Sequence, residues 1–255
     1  MCGRFVASSS PDQIAAFFGA EVAVDGLGQN FNVAPTHDIY GVVAPTGGDA
    51  ATSPRLEAFH WGLVPSWAKD RKIASRMINA RSETLAEKPA FKGLFKKKRL
   101  LVPMDGFYEW QPGTADGPLT ARGKPAKQPM FIHRSDGEPL AVAGLWSAWK
   151  DPETGGEDDN SPRWLHSATI VTTAANDTMA AVHDRMPVLV ARSRWAEWLD
   201  PTNDDIEALS TLFDMRDDRS LELHPVSTDV NSVRNNRPDL IDEVDRVTPG
   251  SASLF

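Results

Sequence analysis

Cysteine is almost absent from this sequence: Cys2 is the only one among 255 residues. A single thiol excludes an internal disulfide framework and a cysteine-rich zinc site, and it predicts a protein of the reducing cytoplasm. Free cysteine usually fills a hydrophobic core, and the second position of a chain is badly placed for that. The position therefore favours a chemical role for Cys2, although the simpler interpretation is that it merely follows the start codon.

Long apolar stretches and cofactor motifs are also missing. No charged segment followed by an apolar one opens the chain, and no apolar run approaches the length of a membrane span, so we expect neither a secretory signal nor a membrane partner. The six histidines never stand four residues apart, and no glycine-rich phosphate loop or G-x-S-x-G motif occurs. We therefore expect no metal ion and no cofactor.

Basic residues are too few to balance the acidic ones, with 27 Lys and Arg against 35 Asp and Glu, a net charge of −8. From Asp200 onward there are 13 acidic and 5 basic residues, while residues 1–199 carry 22 of each sign. This balance argues against indiscriminate binding of duplex DNA, whose affinity comes from phosphate contacts. It permits a local basic groove before Asp200, and it makes the acidic segment a solvated surface or a screen against unsuitable polyanions.

Short strands dominate the hydrophobic pattern. They are predicted over residues 39–44, 56–62, 100–103, 106–110, 130–133, 140–149, 165–173, 187–190 and 221–226. Short helices are predicted between them, the first after Ser10 as N-cap and ending at Gly19. This pattern favours an α+β fold, a single domain over residues 1–247 with a strongly curved, barrel-like mixed β-sheet and short flanking helices. Residues 248–255 are predicted to be a disordered tail.

The N-terminal cysteine acquires a chemistry of its own once Met1 is removed. Cys2 then carries an α-amine and a thiol on adjacent carbons, with ordinary pKa values of about 7.7–8.0 and about 8.5. Both groups are partly nucleophilic near neutral pH. A 1,2-aminothiol condenses with an aldehyde to a five-membered thiazolidine, which an internal cysteine cannot form because its nitrogen is an amide. Gly3 and Arg4 suit a backbone that approaches an anionic ligand closely.

Three polar segments are candidates for the rest of a site. Asn79 and Arg81 share one face if they lie on a strand, although a solvated turn and helix cap would also explain them. Glu109 stands among aromatic residues, where desolvation would raise its pKa as a general acid or base requires, unless it is a surface glutamate on an edge strand. His183 and Arg185 offer an imidazole and a guanidinium two residues apart, or else form a capped loop with a satisfied histidine.

Tryptophans and lysines supply two further patterns. Trp61 and Trp67 flank a turn shaped by Gly62 and Pro65. Tryptophan is buried by default, but an exposed one can stack on a nucleic-acid base. A basic cluster that we interpret as a solvated helix end comprises Lys92, Lys96, Lys97, Lys98 and Arg99.

Six segments, taken together and in this order, resemble the SRAP (SOS-response-associated peptidase) family. They are Cys2-Gly3-Arg4-Phe5, Asn32-Val33-Ala34-Pro35, Trp61-Gly62-Leu63-Val64-Pro65-Ser66-Trp67, Asn79-Ala80-Arg81-Ser82-Glu83-Thr84, Gly106-Phe107-Tyr108-Glu109-Trp110 and His183-Asp184-Arg185-Met186-Pro187. Each is weak alone, but six in register span most of residues 1–230, and the sequence is identified as a member of that family. The stretches 112–129 and 151–162 look like loop length variation, and the acidic tail beyond Asn231 has no counterpart in the resemblance.

The resemblance implies covalent capture of abasic sites in single-stranded DNA as part of the DNA-damage response. The Cys2 amine would attack C1′ of the ring-opened deoxyribose, and the thiolate would then close a thiazolidine crosslink. Glu109 and His183 would be the acid–base pair, with His183 helping to open the sugar at O4′ and Glu109 moving protons to and from the amine. Asn79 would hold the terminal amine or the opened sugar.

The resemblance also implies how DNA is held. Arg4, Arg81 and Arg185 would bind flanking phosphates, and Trp67 would stack on a base beside the lesion. The expected partner is single-stranded DNA with an abasic site, and the expected salt dependence is modest, for roughly three phosphate contacts. We expect a monomer in the cytoplasm, associated with the nucleoid when it acts on DNA.

Two other functions remain open at this point. A cysteine peptidase would use Cys2 as nucleophile and His183 as base, in the simplest case cleaving only its own Met1. A non-catalytic reader of modified or single-stranded DNA would bind without needing Cys2. For the crosslinking function itself, a single-use reaction and slow reversal through the same acid–base pair are both compatible with the sequence.

Overall fold

The computed structural model describes residues 2–45, 53–151, 164–215 and 218–245. Within these residues the strands are β1 (Phe5–Ala7), β2 (Glu21–Val22), β3 (Asn30–Val33), β4 (Asp38–Val43), β5 (Arg55–Trp61), β6 (Asn79–Arg81), β7 (Arg99–Met104), β8 (Gly106–Gln111), β9 (Gln128–Arg134), β10 (Leu140–Lys150), β11 (Trp164–Ala174), β12 (Arg185–Pro187) and β13 (Leu221–Pro225). The α-helices are α1 (Pro11–Phe18), α2 (Lys92–Lys97), α3 (Asp177–Ala180), α4 (Trp195–Leu199) and α5 (Ile206–Ser210). Short 3₁₀ turns lie at Arg71–Arg76, Ser82–Thr84, Arg192–Arg194, Thr211–Phe213, Thr228–Asn231 and Pro238–Ile241.

Five strands close into a small barrel. β11 pairs with β10, β10 with β7, β7 with β4 and β4 with β5, all antiparallel. β5 then returns to β11 as a parallel neighbour, with His60 beside Ser167 and Trp61 beside Ala168, and this pairing completes the ring. The long strand β11 continues beyond that contact, where β6 flanks it in parallel and β12 antiparallel. The end of β11 is therefore a platform bordered by two short strands.

A second sheet, in the order β13-β9-β8-β1-β3, is antiparallel throughout. It packs on the barrel, because Phe5, Phe107 and Ile132 of this sheet share one buried cluster with Val142 and Ile170 of the barrel. Successive side chains on a strand point to opposite faces. The other face of the sheet carries a smaller cluster that includes the C-terminal segment, made of Val6, Tyr108, Phe131, Val226, Val230 and Leu240.

Helices cover the outer face of the barrel. The side chain of Ser10 accepts a hydrogen bond from the first turn of α1, and the helix ends at Gly19, whose φ of 63° favours glycine. The buried side chains of Ile14 and Phe18 join Trp198 of α4 in the cluster outside the barrel wall. Burying each such apolar side chain contributes about 1.5–3 kcal/mol to folding.

Arg99 is not part of a solvated helix end, which corrects the interpretation of the basic cluster. Only 3% of it is exposed, and its guanidinium lies beneath the end of α2 and beside α4. It donates to five backbone carbonyls, those of Phe95, Lys96, Trp198, Asp200 and Asn203. Burial lowers the pKa of Arg99 to about 10, so the side chain still carries its charge at neutral pH.

The α+β fold with a barrel-like mixed sheet and short helices is confirmed. Most predicted strands end within two residues of the observed ones, but the strand predicted over residues 187–190 begins earlier, at Arg185. The chain joins the edge of β11 directly after His183, and Val188 still donates to the carbonyl of Val171 at 3.0 Å. The predicted tail, residues 248–255, lies outside the described residues. No helix in the described part of the chain is long and apolar enough to cross a membrane.

Candidate functional site

Cys2 lies three residues before the start of β1, fully buried in the cluster between the second sheet and the barrel. The expectation that a cysteine at this position stays out of the core is therefore wrong. Burial raises the pKa of the thiol because the thiolate would lose its hydration, and the negative charge of Glu109 raises it further. The positive charge of the chain N-terminus and, to a smaller extent, a hydrogen bond from the backbone N–H of Arg4 lower the pKa, but burial outweighs them. The Cys2 thiol is accordingly protonated at neutral pH.

The pairing of β8 with β1 brings Glu109 close to Cys2. Phe107 lies opposite Phe5 in this antiparallel pair, and Glu109 points to the same face of β8 as Phe107, toward the barrel. Only 4% of Glu109 is exposed. Of the two interpretations of this residue, the buried carboxylate is the one observed, and the surface glutamate is not.

Asn79 lies on β6, in parallel register with Ile170 of β11. Its side-chain Nδ2 donates to the backbone carbonyl of Cys2 at 2.8 Å, so a strand from the middle of the chain holds the N-terminal segment. The Oδ1 of Asn79 is buried and has no hydrogen-bond partner among the described residues. An unpartnered buried acceptor is costly, and this one suits an amine or hydroxyl group that arrives at Cys2.

His183 follows α3, and its backbone N–H donates to the carbonyl of Met179 at 2.9 Å. Its Nδ1 accepts from the backbone N–H of Arg185 at 3.0 Å and lies 2.7 Å from Oδ1 of Asp184. The first contact suits the neutral ring and the second the protonated ring, so Nδ1 has a partner in either state. Both contacts orient the imidazole ring through Nδ1.

Gln111 connects the strand of Glu109 to the loop of His183. Its side-chain amide donates to the carbonyl of Ala181 at 3.0 Å, and Ala181 lies two residues before His183. No motif in the sequence indicates a role for Gln111. Its two-residue spacing from Glu109, which puts both side chains on one face of a strand, is the only signal that could have indicated one. The contact fixes the two proposed acid–base residues relative to each other.

Arg4 is partly buried and is held by contacts within the protein. Its Nη1 donates to Oδ1 of Asn32 at 2.7 Å and to the carbonyl of Val230 at 2.8 Å, and burial lowers its pKa. The Nδ2 of Asn32 also donates to the carbonyls of Ser232 and Asn235, at 3.0 Å and 2.9 Å. The segment after Ser227, expected to be a solvated surface, thus covers Arg4, and a phosphate would have to share this guanidinium with protein acceptors.

Arg81 and Arg185 lie at the end of β11, on opposite edges. Arg81 stands beside Thr172 on β6, and Arg185 stands beside Ala174 on β12. Both line an open cleft of about 560 Å³, together with Glu83, Thr84, His183 and Asp184. The strand interpretation of the Asn79–Arg81 segment is therefore confirmed. The cleft joins His183 to two of the arginines predicted to bind DNA.

Trp67 projects from the turn that follows β5, with 62% of its surface exposed. The turn needs a glycine at position 62, where φ is 130° and a Cβ would lie 2.6 Å from the carbonyl oxygen of Ala74. Trp149 holds the turn by donating its indole N–H to the carbonyl of Ala68 at 2.7 Å. Trp67 is thus an exposed aromatic ring on a well-anchored turn, whereas Trp61 is fully buried.

These contacts bring Cys2, Asn79 and Glu109 together and link His183 to them through Gln111. Arg81 and Arg185 share a cleft with His183, while Arg4 serves the internal network described above. Among the described residues, no group of three or more His, Cys, Asp or Glu side chains could hold a metal ion.

Comparison with known proteins identifies the family of the chain. A sequence model of the family described as SOS response associated peptidase (SRAP) matches residues 1–233. The abasic site processing protein YoqW of Bacillus subtilis (strain 168) is 38% identical over 244 residues, which cover 95% of this chain and 99% of YoqW. The abasic site processing protein HMCES of Xenopus tropicalis is 35% identical over 218 residues, 75% of this chain and 58% of HMCES.

Solved structures share the fold. A protein from Bacteroides thetaiotaomicron superposes with a TM-score of 0.78 at 22% identity, covering 95% of this chain and 100% of that one. A phage-related protein from Bordetella bronchiseptica superposes with a TM-score of 0.62 at 28% identity, covering 89% of this chain and 95% of that one. With the family match over residues 1–233 and relatives that are at least 35% identical, the chain belongs to the SOS response associated peptidase (SRAP) family.

Proposed function

We propose that this protein captures abasic sites in single-stranded DNA through a thiazolidine formed by Cys2 after removal of Met1. The observation that carries the proposal is the surroundings of Cys2: a buried thiol beside the charge of Glu109, with its backbone carbonyl bound by Asn79. The names of the relatives, abasic site processing proteins, support the choice of lesion.

The reaction begins at the amine. The Cys2 nitrogen attacks C1′ of the ring-opened deoxyribose, and loss of the C1′ oxygen as water gives a Schiff base. The Cys2 sulfur then bonds to C1′, the carbon–nitrogen double bond becomes single, and the thiol proton passes to nitrogen. No oxidant or reductant is required, and water is the only molecule released.

Glu109 and His183 supply the proton transfers. Glu109 accepts a proton from the amine as it attacks and returns one to the departing hydroxyl. It then receives the thiol proton and passes it to the nitrogen as the ring closes. His183 donates to O4′ as the sugar ring opens, and its Nδ1 contacts hold the ring in both protonation states. A positioned acid or base of this kind contributes typically about 10²–10⁴-fold to a rate.

The protonated thiol favours this order over a peptidase mechanism. A cysteine peptidase attacks with a thiolate, and its nucleophilic cysteine has a lowered pKa. Here burial and Glu109 raise the pKa of Cys2. Crosslinking tolerates a protonated thiol because the amine attacks first, and the sulfur reacts only when it is already tethered to C1′.

DNA is held by the cleft and the exposed tryptophan. Arg81 and Arg185 bind phosphates beside the lesion, and Trp67 stacks on a neighbouring base, which must be unpaired to lie on the ring. Arg4 contributes mainly by holding the segment that follows Cys2.

The test is a denaturing gel of the protein with a single-stranded oligonucleotide that carries one abasic site. An undamaged oligonucleotide and a Cys2→Ala variant are the controls, and mass spectrometry confirms that Cys2 is the free terminus. A heat-stable band that requires both the lesion and Cys2 supports the proposal. Absence of the band with Cys2 free contradicts it, and undiminished non-covalent binding by Cys2→Ala would then point to a reader of DNA.

A further inference from the structure

The carboxylate of Glu83 binds the guanidinium of Arg185, which the proposed function assigns to a DNA phosphate. Its two carboxylate oxygens bind the two terminal nitrogens of Arg185 as a fork, one pair at 3.0 Å. The second of these nitrogens also donates to the carbonyl of Thr172 at 2.7 Å. The hydrogen bonds from Arg185 in turn lower the pKa of Glu83, and the charge of Arg185 adds to this, so the carboxylate is ionised at neutral pH.

The fork leaves Arg185 no other edge for a ligand. Its Nε is buried and has no hydrogen-bond partner in the described part of the chain. Only 14% of the Arg185 side chain is exposed, against 51% for Glu83. A phosphodiester must therefore approach the same two nitrogens that Glu83 holds, and it must displace the carboxylate to make a bidentate contact.

Arg81 offers the opposite situation in the same cleft. It is exposed, and its guanidinium makes no hydrogen bond or ion pair to the described residues. Glu83 and Asp184 balance the two arginines of the cleft, so their positive charge is not in excess at a site that must receive a polyanion. Because Glu83 is half-exposed, its carboxylate can move into solvent at small cost.

We propose that Glu83 is a specificity-determining residue that occupies Arg185 until a DNA phosphate displaces it, and so weakens binding to strands that the site does not hold firmly. This inference rests on the proposed function for the identity of the ligand. Of the two arginines in the cleft, only Arg81 is free to bind a phosphate of an undamaged strand at full strength. A strand anchored at its lesion keeps its phosphate in the cleft long enough to exchange with Glu83.

The test measures binding of the full chain to an undamaged single-stranded oligonucleotide by fluorescence anisotropy, at several salt concentrations. Glu83→Gln is expected to bind about fivefold more tightly than wild type at low salt, because Arg185 becomes available to a phosphate. The slope of log affinity against log salt should steepen by about 0.7, the value for one more contact on a single strand.

The control is Glu87→Gln, which removes the same charge from an exposed position four residues further along the chain. It tests whether any gain comes from net charge alone. The double variant Glu83→Gln/Arg185→Gln tests whether the gain passes through Arg185, since independent effects would add. We expect Glu87→Gln to change the affinity little. We expect Glu83→Gln to give no gain in affinity when Arg185 is also replaced by Gln.

Two results would overturn the inference. If the Glu83→Gln variant binds the oligonucleotide no better than Glu87→Gln does, or more weakly than wild type, then Glu83 only positions Arg185. A gain that persists without Arg185 would mean a general charge effect. Failure of the proposed function is distinguishable from failure of this inference. Wild type would then form no crosslink with an abasic strand, while Glu83→Gln would still raise the affinity and lose that gain without Arg185. In that case the specificity role of Glu83 stands and the crosslinking chemistry does not.

Discussion

The side-chain amide of Asn79 donates to the carbonyl of Cys2 at 2.8 Å, across 77 residues of sequence. The contact depends on β6, whose parallel register with β11 sets Asn79 beside Ile170. It ties the only cysteine to the platform that also carries Arg81 and Arg185. Cys2 and the cleft lined by Arg81 and Arg185 are therefore positioned by one strand, β11.

Replacing this donor should slow crosslinking without unfolding the protein. In Asn79→Asp, a carboxylate oxygen would face the Cys2 carbonyl, so the hydrogen bond would become a repulsion and the N-terminal segment would shift. Loss of one such bond costs about 1 kcal/mol of stability, whereas a displacement of about 1 Å at a reacting group costs about 100-fold in rate. We expect crosslinking to slow by tenfold to about 100-fold, measured by timed denaturing gels.

Asn203→Asp is the matched control for that measurement. It introduces the same charge far along the chain, where Asn203 accepts from the backbone of Asp205 before α5. Its crosslinking rate should equal that of wild type. An Asn79→Asp variant that reacts as fast as Asn203→Asp would show that the contact with Cys2 has no part in the reaction.

The buried thiol of Cys2 predicts how stability depends on pH. Its pKa is raised in the folded protein, so above the ordinary value of about 8.5 the unfolded chain loses a proton that the native state retains. The stabilisation is complete below pH 8.5 and declines as pH rises. The free energy of unfolding of wild type should fall, relative to Cys2→Ala, by about 1.4 kcal/mol for each pH unit above 8.5.

Urea unfolding of both proteins between pH 7 and pH 10.5 measures this difference. Tyr108, whose pKa burial also raises, is present in both proteins and cancels in the comparison. Parallel curves for the two proteins over the whole range would mean that the folded thiol titrates normally, and that Cys2 is more hydrated than its position indicates.

Local sequence patterns predicted the parts of the site that depend on local geometry. The two-residue spacing of Asn79 and Arg81 indicates a shared strand face, and both lie on β6. The aromatic neighbours of Glu109 indicate a desolvated carboxylate, and alternation along β8 gives Glu109 the face of the buried Phe107. In each case the information lies within a few residues.

Contacts between distant segments could not be predicted in that way. The fork between Glu83 and Arg185 spans 102 residues, and the bond from Asn32 to Ser232 spans 200. Arg99 stands in a basic run that indicates a solvated helix end, and its burial is a consequence of α4 packing there from about 100 residues further on. Such pairings depend on the register of the closed barrel, which no local pattern encodes.

Arg99 should be a major contributor to stability with no part in the reaction. Arg99→Met would leave carbonyls at the end of α2 and around α4 without their buried donor. Removing a buried charged donor costs about 3 kcal/mol or more. We expect that loss in urea unfolding, with an unchanged crosslinking rate for the fraction that remains folded.

Lys97→Met is the control for Arg99, because it removes a positive charge from an exposed position at the same helix end. It should change the free energy of unfolding by less than about 0.5 kcal/mol. If both variants lose the same stability, the effect belongs to the net charge of the helix end and not to the carbonyls that Arg99 binds.

Trp67 should contribute to DNA binding and not to stability. Its ring is 62% exposed on a turn that Trp149 anchors, so Trp67→Ala removes a stacking surface while the turn remains. Stacking of one base contributes about 1–3 kcal/mol, and we expect the affinity for a single-stranded oligonucleotide to fall about tenfold or more in fluorescence anisotropy.

Trp164→Ala is the matched control, since Trp164 is 58% exposed and lies at the start of β11, six residues from the register position of Asn79. Equal losses in both variants would mean that exposed tryptophans bind DNA without regard to position, and no loss in Trp67→Ala would remove Trp67 from the binding surface.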